Sequence, residues 1–360
     1  MGSEAYNLKE ILSQFNIDTD IETFGNGHIN DTYLCETTPR FILQKINTNV
    51  FKDPDAVMEN ICNVTKHIRA KIVEAGGDPD RETLNVILTK TGEIFYKHPD
   101  GAAFRMYKFI ERSVSYDEAV RPEILTYAGQ AFGKFQKMLS DFPAAKLHET
   151  IIDFHNTPVR VKQLQEAMKN NLSGRLGNVG EEVKFALDYS RYSAEITDAM
   201  ESGDVLLRVT HNDTKLNNVL FDETTDEGVC VIDLDTVMPG SLLYDFGDAL
   251  RFGASSCAED ETDIDKIYFD LEKYEAFAKG FLGEVSANLT KKEIELLPMS
   301  ALLMTYECGI RFLADYINGD TYFKIHRENH NLDRARNQFA LVADIEKKLP
   351  EMAKIVQKYI

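Results

Sequence analysis

The chain has 360 residues, 43% of them apolar, enough to bury a core spread over two lobes rather than one small module. Its 59 acidic residues outnumber 40 basic ones, and the net charge of −19 repels a nucleic-acid backbone or an anionic membrane surface. The five cysteines (Cys35, Cys62, Cys230, Cys257, Cys308) stand singly, without metal-binding spacing, and read as reduced thiols.

The N-terminal stretch Met1 to Tyr6 has neither the basic nor the apolar block of a signal peptide, and no apolar run approaches the roughly 20 residues that span a bilayer. A cytoplasmic location without a membrane is the expectation, and no obligate protein partner is evident. A short amphipathic helix is expected from Leu8 to Phe15. From Ile21 to Ile46 the pattern alternates, broken at Gly25-Asn26-Gly27 and near Pro39-Arg40, which predicts three strands with a glycine-rich first turn. Asp53-Pro54 starts a helix whose Val57, Ile61, Val64, Ile68 and Ile72 share one face until Gly76-Gly77. Strands follow at 84–89, 94–97 and 104–110, so the first 110 residues read as an antiparallel sheet with one helix. From Pro122 the periodicity is helical, over about 122–140, 158–171, 180–202, 266–283, 291–316 and 332–358, interrupted by strands around 206–210 and 219–233. The chain is therefore α+β, with lobes at 1–110 and 111–360 joined by a hinge near Phe109 to Ser113.

Chemistry concentrates between Leu207 and Asp235, where apolar strands flank the polar loop His211-Asn212-Asp213-Thr214-Lys215-Leu216-Asn217-Asn218. His211 and Asp213, with Asn218 five residues beyond the aspartate, fit the pattern H-x-D-x-x-x-x-N, and Asp233 closes the next strand. Phosphoryl transfer needs a carboxylate at the acceptor hydroxyl and side-chain oxygens that hold a divalent cation on the phosphates. Asp213 is the candidate base, Asn218 and Asp233 are the candidate Mg²⁺ ligands, and His211 reads as a brace for the loop. Asp235 is open to two readings, a second metal contact or a solvated neighbour. Asp245-Phe246-Gly247 spells the metal motif of protein kinases, but it lies 32 residues past Asp213 and beyond the turn Pro239-Gly240. Asp245 is therefore read as a buried carboxylate that accepts backbone hydrogen bonds.

This arrangement resembles the aminoglycoside phosphotransferase and choline kinase superfamily, a branch of the protein-kinase-like fold, over nearly the whole chain. More narrowly, Gly25-Asn26-Gly27-His28-Ile29-Asn30, Val209 to Leu220, Ile232 to Gly240, Asp245 to Asp248 with Arg251-Phe252-Gly253, and Glu307 to Tyr316 resemble the bacterial N-acetylhexosamine 1-kinases. The resemblance implies a small antiparallel-sheet lobe for the nucleotide and a large, mainly helical lobe for catalysis. It implies ATP and Mg²⁺, and transfer of the γ-phosphate to the anomeric hydroxyl of N-acetylglucosamine or N-acetylgalactosamine. Asp213 would take the hydroxyl proton, with His211 and Asn212 beside it in the catalytic loop.

For the nucleotide, the turn Gly25-Asn26-Gly27 lets backbone approach phosphates, and is equally an ordinary hairpin turn. On the third strand either Gln44 or Lys45 faces the nucleotide, but not both, and Lys45 is the lysine a kinase would use. Glu59 is either its partner or a solvated glutamate. Adenine would lie against Phe109, Ile110 and Glu111. For the amino-sugar substrate the resemblance nominates His28, Asn212, Asp213, Arg311 and Tyr322, with Phe252 as the apolar wall. The alternative, a choline, ethanolamine or aminoglycoside kinase, calls for carboxylates or an aromatic cage, and Arg311 beside the acceptor would repel an ammonium group. A catalytically silent nucleotide-binding module is disfavoured by the intact Asp213, Asn218 and Asp233, and a protein kinase by the missing Ala-Pro-Glu segment.

Overall fold

The computed structural model describes residues 6–25 and 29–360. Helix α1 (Leu8–Ser13) starts at Asn7, whose side chain accepts from Glu10. After it come β1 (Ile21–Thr23), β2 (Asp31–Cys35), β3 (Phe41–Ile46), α2 (Pro54–Glu74), α3 (Pro79–Glu82), β4 (Val86–Ile87), β5 (Tyr96–Lys97) and β6 (Ala103–Lys108). These strands make one antiparallel sheet, ordered β1-β2-β3-β6-β4, with β5 also on β6. Strand alternation gives the sheet two different faces. Leu43, Phe104 and Met106 pack under Ile11, Leu12 and Phe15 of the N-terminal segment, whereas Ile46, Ala103 and Tyr107 join the main core with α2. Helix α2 is set by its sequence: Asp53 accepts from Ala56, Pro54 sits at the first position, and the expected stripe from Val57 to Ile72 is buried.

The remainder is mainly helical. In order it runs β7 (Ser113–Val114), α4 (Pro122–Met138), α5 (Thr157–Asn170), α6 (Gly180–Tyr189), α7 (Glu195–Ser202), β8 (Arg208–Thr210), β9 (Val219–Asp222), β10 (Gly228–Val231), β11 (Met238–Gly240), α8 (Leu242–Gly253), α9 (Leu271–Val285), α10 (Lys291–Asn318) and α11 (His330–Gln357). Strands β10-β9-β7 form one small sheet and β11-β8 another. Helix α10 carries a capping box between Thr290 and Glu293 and packs on α5, α8 and α11. By length and composition it passes for a membrane span, contrary to the sequence expectation, yet 89% of that window is buried inside the protein, which marks it as a core helix.

Three departures from the sequence pattern matter. Helix α8 was not anticipated: its polar stripe of Asp245, Asp248 and Arg251 is buried against the catalytic loop rather than turned to solvent, so the segment read as a motif string and not as a surface helix. The single helix expected over 180–202 is two helices, with a 3₁₀ turn at Ser190–Tyr192 between them. The helix expected from 266 begins at Leu271, because Asp270 caps it through the amides of Glu272 and Lys273.

Candidate active site

The polar loop between β8 and β9 is gripped from outside. Asp245, in the first turn of α8, accepts the His211 amide (2.9 Å) and the Asn212 amide (2.8 Å), and Gln136 Nε2 donates to it at 2.6 Å. One turn on, Asp248 accepts the Thr214 amide (3.0 Å) and is held in turn by Arg251. Asp-Phe-Gly here is thus a structural string. Its Asp245 clamps the loop, Phe246 packs among Tyr274, Phe277 and Phe281, and Gly247 lets α8 approach α10 so closely that a Cβ would lie 2.3 Å from the Ser300 carbonyl oxygen. Burial pushes the Asp245 carboxyl above its ordinary value. It works against Asp248 as well, but the charges of Arg251 and His155 outweigh it and hold Asp248 low.

Within the loop, His211 is fully buried, edge-on to Phe132 and Phe135. Its Nε2 lies 2.8 Å from the Ile232 carbonyl, which can only accept, so that nitrogen carries the hydrogen; Nδ1 accepts the Asp213 amide at 3.3 Å. Asn212 has a left-handed backbone (φ 65°) and donates its side-chain amide to the Thr236 carbonyl at 2.8 Å, tying the loop to the turn after β10. Its own carbonyl faces His155 Nε2, and the other nitrogen of that ring meets Glu307 at 2.8 Å.

The Asp213 carboxylate lies between two donors, Lys215 Nζ (3.1 Å) and Asn218 Nδ2 (3.1 Å), and Asn218 also donates to the Asp213 carbonyl at 2.7 Å. Burial opposes a charge on Lys215, but Asp213, Asp233 and Asp248 outweigh it and hold the ammonium above its ordinary pKa. Asp233 sits in the left-handed region (φ 59°, ψ 56°) and takes no hydrogen bond or ion pair among the described residues. Burial, then the neighbouring carboxylates of Asp235 and Asp213, push it up to about 6. The buried Asp233 carboxylate and the Asn218 side-chain oxygen, neither engaged by a hydrogen bond among the described residues, are a donor set suited to a hard cation. Mg²⁺ takes one or two protein oxygens and completes its shell with phosphate and water, so two such ligands would suffice for it.

On the sheet side, Gln44 and not Lys45 faces the cleft. Gln44 pairs with Arg105 in register and accepts from its Nε at 3.0 Å, whereas Lys45 lies on the opposite face, 4.8 Å over the Tyr6 ring and 3.7 Å from Asp31. The placement of Lys45 on the nucleotide is corrected accordingly: strand alternation turns it away. Glu59 is exposed and bonds His148 rather than a lysine. Gly25 has φ 74°, while Asn26, Gly27 and His28 lie outside the described residues. In the segment expected to be the hinge, the Phe109 ring carries the Arg40 guanidinium at 4.0 Å and meets Phe24 edge-on, Glu111 pairs with Arg40, and the Ile110 carbonyl accepts from Ser113.

Beside the loop stand two arginines that form no ion pair among the described residues, although both feel the Glu307 charge. Arg311 stands between the Phe154 and Phe323 rings, at 5.6 and 5.5 Å, and Arg160 donates to the Phe154 carbonyl and to Gln163. The carboxylates nearby are already engaged: Glu307 with His155 and Thr157, Glu259 with Arg251, and Asp315 with the amides of Thr321, Tyr322 and Phe323. Tyr322 is exposed against Phe323, and Phe252 lies 3.7 Å below the Arg251 guanidinium. Sequence reasoning missed Lys215, Asp248, Arg105, His155 and Glu307 as site residues. Lys215 and Arg105 left visible traces, the first two residues past the base and the second a lone charge within Ala102-Ala103-Phe104-Arg105-Met106-Tyr107; Asp248 and Glu307 stood in strings that carry the resemblance but had no role assigned, and His155 left no trace.

Residues 20–278 match the family described as "Phosphotransferase enzyme family", and the chain belongs to it. Among solved structures it is similar to a microcompartment-associated aminopropanol kinase, with TM-score 0.65 and 15% identity, covering 96% of this chain and 98% of that one. It is also similar to an aminoglycoside phosphotransferase from Alicyclobacillus acidocaldarius, with TM-score 0.63 and 13% identity, covering 99% and 98%. An amicoumacin kinase in complex with AMP-PNP and Ca²⁺ gives TM-score 0.58 and 13% identity over 95% and 94%. These likenesses show the fold, the α+β, protein-kinase-like arrangement expected from the sequence.

Proposed function

We propose that this member of the phosphotransferase family transfers the γ-phosphate of ATP, with Mg²⁺, to the anomeric hydroxyl of an N-acetylhexosamine. The observation that supports the choice of acceptor is the pair Arg160 and Arg311, neither in an ion pair among the described residues, while Glu307, whose charge both feel, is hydrogen-bonded to His155 and Thr157. Such a surface repels an ammonium acceptor, and offers donors to the acetamido carbonyl and ring hydroxyls of a neutral sugar. The motif strings quoted from the sequence support the same class.

In this reading the acceptor hydroxyl gives its proton to Asp213, whose carboxylate is oriented by Asn218 and Lys215. The freed oxygen attacks the γ-phosphorus, the bond to ADP breaks, and the Lys215 ammonium lies beside the charge that shifts during transfer. Asn218 and Asp233 would hold Mg²⁺, which when bound offsets phosphate charge. His211, Asp245 and Asp248 keep the loop in one geometry. The test is phosphate transfer from ATP to N-acetylglucosamine, N-acetylgalactosamine, glucose, choline and kanamycin, with Asp213→Asn in parallel. Formation of a sugar 1-phosphate, lost in the variant, supports the proposal; turnover confined to choline or kanamycin sinks the sugar assignment.

A further inference from the structure

We propose that Asp235, Arg105 and Asn30 form a latch between the sheet and the catalytic lobe, so that Asp235 positions the nucleotide site rather than ligating the metal. The inference rests on reading this cleft as an ATP site. Asp235 is buried, and both its oxygens are taken from the sheet side: Arg105 Nη1 pairs with Oδ1, and Asn30 Nδ2 donates to Oδ2 at 2.7 Å. Arg105 is 1% exposed, and its Nε is fixed by Gln44, whose amide donates to Thr32 Oγ1 at 3.1 Å. A side-chain relay thus crosses β6, β3 and β2 on the cleft face and ends on a carboxylate of the other lobe. It occupies the strand position where a kinase would present its lysine, and it brings the lobe's buried cation from β6.

Asn30 makes the latch relevant to the phosphates. It follows the Gly25-Asn26-Gly27-His28 stretch, its Oδ1 accepts the Asn47 amide at 3.0 Å, and Asn47 Nδ2 donates to the Ile29 carbonyl at 3.1 Å. The exit of the glycine-rich segment is therefore fastened to the end of β3 and to Asp235 together. Asp235 lies in the 3₁₀ turn Leu234–Thr236, directly after Asp233. The same turn holds the catalytic loop, because Thr236 Oγ1 donates to the His211 carbonyl at 2.7 Å and the Thr236 carbonyl accepts from Asn212. One turn thereby registers the metal carboxylate, the base loop and the phosphate-side segment against each other.

The experiment measures affinity for a non-hydrolysable ATP analogue with Mg²⁺ by calorimetry on the full chain, together with the Mg²⁺ concentration that gives half-maximal binding. Asp235→Asn leaves a buried arginine uncompensated and risks the fold, so Asn30→Ala, at a half-buried position, is the primary variant, with Arg105→Lys beside it. Asn30→Ala is expected to weaken nucleotide binding roughly tenfold, the loss of one hydrogen bond to a charged group, with the Mg²⁺ midpoint unmoved. Arg105→Lys keeps the charge but loses the fork between Gln44 and Asp235, and is expected to bind nucleotide at least as weakly. A silent Asn30→Ala, or a variant that lowers only the melting temperature, overturns the latch, as does an Asp235→Asn chain that raises only the Mg²⁺ midpoint. Because no acceptor is present, failure of the sugar assignment leaves this test intact; a wild-type chain that binds no Mg²⁺–nucleotide overturns both.

Discussion

Replacing His211 by Phe separates a brace from a reacting group. The imidazole makes two hydrogen bonds in a fully buried setting, one to the Ile232 carbonyl at 2.8 Å and one from the Asp213 amide at 3.3 Å. Phenylalanine fills the space between Phe132 and Phe135 but leaves both backbone groups unpaired. At about 1–3 kcal/mol for each buried unsatisfied group, the loss is about 4 kcal/mol. At about 2 °C per kcal/mol for a chain of this size, the melting temperature should fall by roughly 8 °C. Because the amide that comes loose belongs to Asp213, kcat should drop by about 10- to 100-fold while the shape of its pH profile stays as in the wild type. Thermal unfolding and a kcat–pH series measure both quantities. A variant that melts like the wild type but loses one limb of the profile would refute the bracing argument and make His211 the acid–base group.

Asp213→Asn should lower kcat by roughly 10²- to 10⁴-fold with KM for ATP within a few-fold, as expected for a group acting on the acceptor proton; an equal rise in KM for ATP would move Asp213 into nucleotide binding. Lys45→Ala should change KM for ATP less than about twofold, since an exposed pair with Asp31 contributes little, whereas a tenfold rise would return Lys45 to the cleft. Arg311→Met should raise KM for the sugar and leave KM for ATP alone, and steady-state kinetics on both substrates would expose the opposite pattern. Burial works against charge on His155, but Glu307 outweighs it and raises the histidine above its ordinary 6.5, while burial of Glu307 is outweighed by His155 and that carboxyl sits below 4.5. The histidine's contribution is then full below about pH 6.5 and fades as pH rises through its folded-state value, while that of Glu307 is present above about pH 4.5 and is lost on acidification. Melting curves should show a wider gap between wild type and Glu307→Gln at pH 6 than at pH 9, and equal gaps would rule out the charged pair.

Much of this was legible because the reacting groups are local. His211, Asp213, Asn218 and Asp233 fall within 23 consecutive positions, on strands and turns whose order alone brings them together. Helix α2 was legible for a similar reason, since its cap, its proline and its apolar stripe are all short-range features. The choice between Gln44 and Lys45 was not, because alternation predicts that they face opposite ways without saying which face covers the cleft; that is decided by α1, which claims Leu43, Phe104 and Met106 for the other side.

Asp245 was legible as a buried acceptor of backbone hydrogen bonds, but which backbone it holds was not, and the other braces of the site were hidden, because each acts across a long stretch of chain. Asp245 reaches back 34 residues to the His211 amide, Glu307 reaches 152 to His155, and Arg105 reaches 130 to Asp235. None of these contacts has a periodicity of its own, and on α8, which supplies two of the clamps, the polar stripe Asp245, Asp248 and Arg251 is buried, so a helical spacing that usually marks a solvated face here marks an internal one. A loop that is to keep Asp213 fixed while substrates come and go cannot rely on its own polar sequence, whose backbone amides would otherwise be free to bond water. Its rigidity has to be supplied by acceptors on elements already locked in the core, and Asp245 and Asp248 on α8 meet that requirement because Gly247 lets the helix pack directly against α10.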